Sequence, residues 1–231
     1  MNSNNTIFIA NIRIDEPVVA LTDLIVAFLC FYFSFQLHPS GKNEKIIYIF
    51  KIYFLTMGLA TFLGGIIGHA FLYAFNFYWK LPGWIISMIS IMFIERAVIQ
   101  HTRIWLKKSI VRFLKIINII EFLTFLTLTI FSLNFFYVEF HSGYGLMFVV
   151  LSLETFLFIK TRNTASKYLL TAVGFAAIAA LFFMNKISPH QWFNYIATSH
   201  IFMAIAATFF YIGAKKIDMS VVDHSPSEKK I

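Results

Sequence analysis

The sequence predicts an all-α protein, an integral membrane bundle of seven transmembrane helices with its N-terminus outside and its C-terminus in the cytoplasm. Its composition, the length of its apolar runs and the positions of its lysines and arginines predict this class. Of the 231 residues, 59% are hydrophobic and only 13% are charged, whereas a soluble domain usually carries about 45–50% apolar and about 25% charged residues. Because a water-soluble fold needs a polar surface, the excess apolar surface is expected to face lipid.

Seven apolar runs approach or exceed the roughly 20 helical residues that cross the hydrocarbon core of a bilayer. The predicted spans are 18–37, 52–75, 83–100, 116–137, 144–159, 168–184 and 192–213. The loops between them are short and contain helix breakers at 38–41, 81–83, 141–143 and 188–190. No linker is long enough to separate two domains. Residues 1–217 are therefore expected to form one domain, and residues 218–231 a disordered cytoplasmic tail.

Lysines and arginines are distributed unevenly over the two sides of the predicted bundle. Fifteen lie in the first, third and fifth loops and in the tail, and three lie on the opposite side: Arg13, Lys80 and Lys186. The positive-inside rule places the richer side in the cytoplasm, and an odd number of spans then leaves the N-terminus outside. We expect a location in the inner (cytoplasmic) membrane of a bacterium.

Cysteine content and charge placement exclude several classes of protein. Cys30 is the only cysteine, so an intrachain disulfide is impossible and a cysteine-based metal site is nearly excluded. The net charge of +8 comes from short basic clusters between apolar runs, without a basic domain that would hold nucleic acid. The first sixteen residues lack the order of a cleaved signal peptide, so the first apolar run is expected to be a permanent anchor. Membrane lipids are the expected partners.

Ionisable residues within the predicted spans are the candidates for function, because a charged group in a bilayer is costly and normally faces the bundle interior. Their distances from the span ends, at about 1.5 Å per residue, sort them into two layers. The outer layer contains Asp23, His69 and His200, with Thr22 and Asn194 above them. The inner layer contains Glu95, Arg96, Glu121 and Glu154.

The outer layer is a candidate metal site. Small or polar residues share the helix face of Asp23, and glycines precede His69. One carboxylate and two imidazoles suit zinc or another divalent transition metal with open coordination positions, and such a metal activates water. Two other interpretations stay open: a structural hydrogen-bond network in which Asp23 binds a protonated histidine, and a proton-relay or ligand-binding role.

For the inner layer, Arg96 is expected to compensate at least one glutamate, because an unpaired buried charge is very costly. The three glutamates could carry more negative charge than one arginine can balance. At least one glutamate is therefore expected to be protonated, exposed to water or bound to a cation. A structural arginine–glutamate cluster and a proton or cation pathway are the two interpretations of this layer.

The sequence lacks the residues that several known functions require. No lysine lies between Lys186 and Lys215, so the seventh span offers no Schiff-base partner for retinal. The sequence has neither a G-x-S-x-G nucleophile elbow nor a phosphate-binding P-loop. Haem held by His69 and His200 stays open in principle.

Two segments resemble the superfamily of seven-span membrane hydrolases that includes alkaline ceramidases and adiponectin-type receptors. One is GGIIGH at 64–69, late in the second span, and the other is NYIATSH at 194–200 in the seventh. The resemblance implies a seven-helix fold, an intramembrane zinc ion and hydrolysis of a lipid amide, and the ceramidase branch also places its N-terminus outside the cytoplasm. The same segments are similar to a group of uncharacterised bacterial seven-span membrane proteins.

The chain departs from that superfamily at three positions. Gly65 stands where the superfamily has a serine four residues before the span-two histidine, and Ile196 stands where the last span has an earlier histidine. The span-three aspartate has no counterpart, since Glu95 lies near the opposite end of its span. We conjecture that Asp23 replaces that aspartate as a metal ligand.

The sequence therefore leaves three functions from different classes. The first is a metal-dependent intramembrane hydrolase of a lipid amide or ester, with Asp23, His69 and His200 as ligands. The second is a proton or cation translocator that links the outer layer to the inner glutamates. The third is a non-catalytic membrane subunit or sensor whose buried polar groups fix the packing.

Overall fold

The computed structural model describes residues 5–39 and 41–219, most of which are helical. The helices are α1 (Pro17–Gln36), α2 (Glu44–Leu63), α3 (Leu81–Thr102), α4 (Lys108–Ser132), α5 (Phe136–Gly143), α6 (Leu151–Thr161), α7 (Thr164–Met184) and α8 (Tyr195–Met219). Two π-helical segments, Gly64–Ala70 and Tyr144–Val150, continue α2 and join α5 to α6. Short 3-10 helices lie at Gly41–Asn43, Leu72–Ala74, Phe77–Lys80 and Arg103–Trp105.

Seven helices in the described part of the chain are long and apolar enough to cross a membrane, which confirms the all-α class and agrees with the seven predicted spans. They cover Pro17–Gln36, Glu44–Ala70, Phe77–Trp105, Lys108–Ser132, Phe136–Thr161, Thr164–Met184 and Tyr195–Ile217. The tail predicted from residue 218 lies outside the described residues, except that Asp218 and Met219 continue α8.

The fifth span begins earlier than the sequence indicates. Residues 141–143, predicted as a loop, lie inside a continuous helix that runs from Phe136 to Thr161. The loop prediction rests on Gly143, but a glycine inside a helix costs only about 1 kcal/mol, which tertiary packing can override. The correction moves His141 from a surface turn into the bundle, where it is fully buried.

The apolar core lies between α1, α2, α3, α7 and α8. Phe50 and Phe54 on α2 and Phe210 on α8 are among its largest buried side chains. Helix α4 lies at the edge of this core, since of its described residues only Asn118 and Thr129 are buried. Its remaining apolar surface is of the kind that faces lipid in a membrane helix.

A two-stranded antiparallel hairpin, which the sequence analysis did not predict, precedes α1. Strand β1 (Thr6–Ile9) pairs with β2 (Ile12–Asp15). Ala10 and Asn11 between the strands have positive φ values of 48° and 64°, as a type I′ hairpin turn requires. Glu16 also has a positive φ, of 45°, and turns the chain from β2 into α1. The hairpin therefore holds Glu16 at the start of the first membrane helix.

Cysteine labelling tests the predicted orientation of the bundle. Cys30 is fully buried, so Cys30→Ala provides a background without a native thiol. A cysteine is then introduced at Lys107, before α4, or at Ser188, in the loop before α8. In right-side-out membrane vesicles, we expect a membrane-impermeant maleimide to label Ser188→Cys at once and Lys107→Cys only after lysis. The opposite pattern would contradict the positive-inside assignment.

Candidate functional site

Three residues of the predicted outer layer lie together near one end of the bundle. Asp23 is on α1, His69 is in the π-helical segment after α2, and His200 is on α8. Oδ1 of Asp23 lies 3.3 Å from Nε2 of His200, and Oδ2 lies 3.8 Å from Nε2 of His69. The two imidazole rings are inclined at 72° with their centroids 6.3 Å apart. One carboxylate therefore stands between two imidazoles that come from different helices.

Glycines allow the segment that carries His69 to approach Asp23. A Cβ added to Gly65 would lie 3.0 Å from the carbonyl oxygen of Ala20 and 3.0 Å from Cβ of Asp23. At Gly64, an added Cβ would lie 3.2 Å from Oδ2 of Asp23. At Gly65, Asp23 therefore takes the space that a side chain would need. The adjoining π-helical turns are rare and occur frequently at functional sites.

Thr22 fixes the tautomer of His200. The Thr22 hydroxyl donates its proton to the carbonyl oxygen of Val19 at 2.9 Å, and Oγ1 of Thr22 lies 3.0 Å from Nδ1 of His200. Since the single hydroxyl proton is already engaged, Nδ1 of His200 must carry a hydrogen and donate to Thr22. In the neutral ring, Nε2 then holds a lone pair that faces Asp23.

Glu16 is the hydrogen-bond partner of Nδ1 in His69. Nδ1 of His69 lies 2.7 Å from Oε2 of Glu16. This hydrogen bond lowers the pKa of Glu16, which partial burial opposes and the positive charge of Lys80 supports. Glu16 is therefore ionised near neutral pH and accepts the Nδ1 hydrogen of His69. Nε2 of the same ring faces Oδ2 of Asp23 at 3.8 Å.

The outer site thus directs acceptors toward one another. When both rings are neutral, their Nε2 lone pairs and the oxygens of Asp23 repel unless a proton or a metal cation lies between them. Metal-binding histidines have this arrangement, in which the second ring nitrogen donates to a carboxylate or another oxygen that fixes the ring. The residue types present suit a divalent transition metal, but the three ligand atoms do not all lie within 4.8 Å of one another, as those of the inner cluster do. The His69 side chain is 18% exposed, whereas Asp23 and His200 are buried.

Sequence reasoning missed Glu16 because it precedes the first span. The signal that could have found it is its spacing, since Glu16 lies about two helical turns before Asp23 on the same side of the chain. Asn194, expected above the outer layer, instead caps α8. Its Oδ1 accepts hydrogen bonds from the backbone amides of Ile196 and Ala197, both at 3.0 Å.

The predicted inner layer separates into two clusters. Glu95 on α3 and Glu121 on α4 lie together with His141 on α5, which the sequence analysis had placed in a loop. Glu154, on α6, instead pairs with His101 at the end of α3, with Nδ1 of the histidine 2.9 Å from Oε1 of the glutamate. The second pair is buried near the end of the bundle that the charge distribution assigns to the cytoplasm.

Arg96 forms no direct ion pair with a glutamate in the described part of the chain, so its expected compensation of a glutamate acts without contact. Nε of Arg96 donates to Oδ1 of Asn118, and Nη2 donates to the carbonyl oxygen of Lys115 at 2.8 Å. Asn118 in turn donates to Oε2 of Glu95 at 3.0 Å. The guanidinium points toward a basic cavity that it lines with Lys108 and Lys115. A neutral amide therefore stands between the arginine and the nearest glutamate.

Comparison with known proteins assigns the chain to a family. A model of a family of unknown function, DUF6962, matches residues 18–219. The chain therefore belongs to that family, and the match covers all seven apolar helices. No curated protein and no solved structure matches the chain.

Proposed function

We propose that this protein is a metal-dependent intramembrane hydrolase of a lipid amide or ester, with Asp23, His69 and His200 holding zinc or another divalent transition metal. The observation that carries the proposal is the orientation of the two imidazoles. Each ring directs Nε2 toward Asp23, while its Nδ1 is held by a separate oxygen from Glu16 or Thr22. This is how proteins orient histidines that bind a metal.

The ligand set suits zinc. Two imidazole nitrogens and one carboxylate make up the protein ligands of several catalytic zinc sites, which keep a further position open for water or substrate. Asp23 offers a different oxygen to each ring, so this carboxylate and the two imidazoles would together hold the ion. When bound, the metal would act as a Lewis acid and supply an activated water as nucleophile near neutral pH.

The position of the site suits a lipid substrate. Asp23 lies about 9 Å along the helix axis from the start of α1, at 1.5 Å per residue. In a core about 30 Å thick, this depth is in one leaflet rather than at the midplane. With the N-terminus outside, that leaflet is the outer one, and an acyl carbonyl just below the headgroups could reach the exposed edge of His69.

The side chains of the site would have two separate roles, metal binding and orientation of the imidazole rings. Asp23 and the two histidines would hold the metal, with the carboxylate offsetting one of its two positive charges, while Glu16 and Thr22 would keep both rings in the Nδ1–H form. Hydrolysis adds water across the acyl bond, so the carbonyl carbon gains oxygen, the bond to nitrogen or oxygen breaks, and the leaving group takes a proton. The resemblance to the seven-span hydrolases supports this chemistry, with Asp23 in place of the span-three aspartate.

Release of fatty acid tests the proposal. Purified protein with zinc is incubated in mixed micelles that contain ceramides, other lipid amides or phospholipid esters, and products are measured by mass spectrometry. We expect release from one lipid class that stops after a zinc chelator and returns with added zinc. Folded, zinc-loaded protein that releases no acyl chain from any of these lipids would contradict the hydrolase assignment.

Loss of the Thr22 hydroxyl tests the tautomer argument. Thr22→Val removes the acceptor of the His200 Nδ1 hydrogen, and loss of such an outer partner typically weakens metal affinity about 10–100-fold. Thr61→Val is the matched control, because the Thr61 hydroxyl is also buried but bonds only to carbonyls of its own helix. Zinc affinity, measured by competition with a chelating dye, should fall for Thr22→Val alone. Equal affinities in the two variants would contradict the argument.

A further inference from the structure

We propose that Glu95, Glu121 and His141 form a second divalent-cation site, which binds a transition-metal ion such as Mn²⁺ or Zn²⁺ inside the bundle. These residues come from three helices, α3, α4 and α5. One ligand atom from each lies within 4.8 Å of the other two. Glu95 and His141 have no exposed surface. The site shares no residue with the outer centre and does not depend on its function.

His141 is oriented as a metal ligand. Its Nε2 lies 3.0 Å from the carbonyl oxygen of Met88, which can only accept, so Nε2 carries a hydrogen. Nδ1 therefore faces Oε1 of Glu121, at 2.6 Å. A ring nitrogen that donates to a backbone carbonyl, with the other directed at carboxylates, is the usual arrangement of a metal-binding histidine.

Two carboxylate oxygens in this cluster are buried without a partner. Within the described residues, neither Oε1 of Glu95 nor Oε2 of Glu121 has a hydrogen bond. The other oxygen of Glu95 accepts from Asn118 at 3.0 Å. An unsatisfied, buried carboxylate oxygen is costly, and a cation bound by both glutamates would give each of them a positive partner.

A shared proton does not satisfy both oxygens. One proton between Glu121 and His141 accounts for their 2.6 Å contact, but it leaves Oε1 of Glu95 and Oε2 of Glu121 unpaired and not bonded to each other. Two ligands of one transition-metal ion, each about 2.0–2.2 Å from it, lie about 3–4.4 Å apart. The ligand atoms of the cluster, all within 4.8 Å of one another, are close to this spacing, and two carboxylates with one imidazole suit Mn²⁺ or Zn²⁺.

The fold makes room for this cluster at Gly145. A Cβ added to Gly145 would lie 2.6 Å from Oε1 of Glu95 and 2.5 Å from Cγ2 of Ile91. Gly145 belongs to the π-helical segment Tyr144–Val150, and such segments occur frequently at functional sites. The unpaired oxygen of Glu95 therefore occupies space that only a glycine leaves free.

Metal binding by a variant without the outer site tests the proposal. Purified Asp23→Ala protein is titrated with Mn²⁺, followed by electron paramagnetic resonance, and with Zn²⁺, followed by a chelating dye. We expect one equivalent of bound ion and a rise in the thermal unfolding midpoint, because a ligand that binds only the folded state stabilises it. Absence of binding of either ion near neutral pH by the folded protein would overturn the proposal.

Isosteric variants identify the ligands. In the Asp23→Ala background, Glu95→Gln or Glu121→Gln should weaken Mn²⁺ binding at least about 100-fold, since even an outer partner contributes 10–100-fold. Glu154→Gln is the matched control, because Glu154 is as buried as Glu95 but pairs with His101. Size-exclusion profiles and unfolding midpoints without metal show that each variant is folded. Mn²⁺ affinity unchanged in both Glu95→Gln and Glu121→Gln would overturn the assignment.

Discussion

Replacement of His200 by alanine is expected to lower lipid hydrolysis at least about 1,000-fold and to release the metal from the outer site. The reason is that one of the three proposed protein ligands is lost, and with it the Lewis acid that would activate water. His69→Ala should have the same effect, because the two rings face opposite oxygens of the same carboxylate. Rates of fatty acid release at saturating zinc, together with bound zinc, measure both effects.

His190→Ala is the control for this prediction. His190 lies exposed in the loop before α8, on the same side of the predicted bundle, and is not one of the proposed metal ligands. It should retain both activity and zinc. Substantial hydrolysis by folded His200→Ala or His69→Ala protein would contradict a catalytic metal at this site.

Gly145→Ala is expected to lower the free energy of unfolding by about 1–3 kcal/mol, the usual cost of an extra methyl group in a packed interior. The added Cβ would lie 2.5 Å from Ile91 and 2.6 Å from Glu95, so α3 and the π-helical segment must move apart. The same displacement should remove cation binding at the inner site. Equilibrium unfolding in detergent and Mn²⁺ titration check the two effects.

Gly143→Ala provides the comparison, since it lies two residues earlier in the same continuous helix and an added Cβ meets nothing within 4 Å. Alanine is a better helix former than glycine by up to about 1 kcal/mol, so this variant should be as stable as the natural protein or slightly more so. Equal destabilisation by both substitutions would mean that close packing at Gly145 is not the cause.

Much of the fold could be predicted from the sequence, because the length and composition of an apolar helix are local properties. Depth within each predicted span also placed Asp23, His69 and His200 in one layer, and the structure brings them together. The metal itself stays a prediction. What the sequence does not contain is the direction of each side chain, which depends on how the helices pack.

The residues that were missed have identifiable physical causes. Glu16 reaches His69 only because the N-terminal hairpin and a positive φ at Glu16 bring the chain back over the bundle. His141 was assigned to a loop because of the glycine two residues later, although packing keeps that segment helical. The π-helical turns at Gly64–Ala70 and Tyr144–Val150 give no signal in an apolar sequence, yet each adjoins a cluster of ionisable residues.

Zinc content of a variant without the inner site tests the central claim most directly. In detergent-purified Glu95→Gln/Glu121→Gln protein, only Asp23, His69 and His200 remain as the proposed ligands. After incubation with zinc near neutral pH and removal of free metal, elemental analysis should find one equivalent per chain, and none once His200→Ala is added. A folded double variant that holds no zinc, or that holds the same amount with and without His200, would contradict a metal centre between these residues.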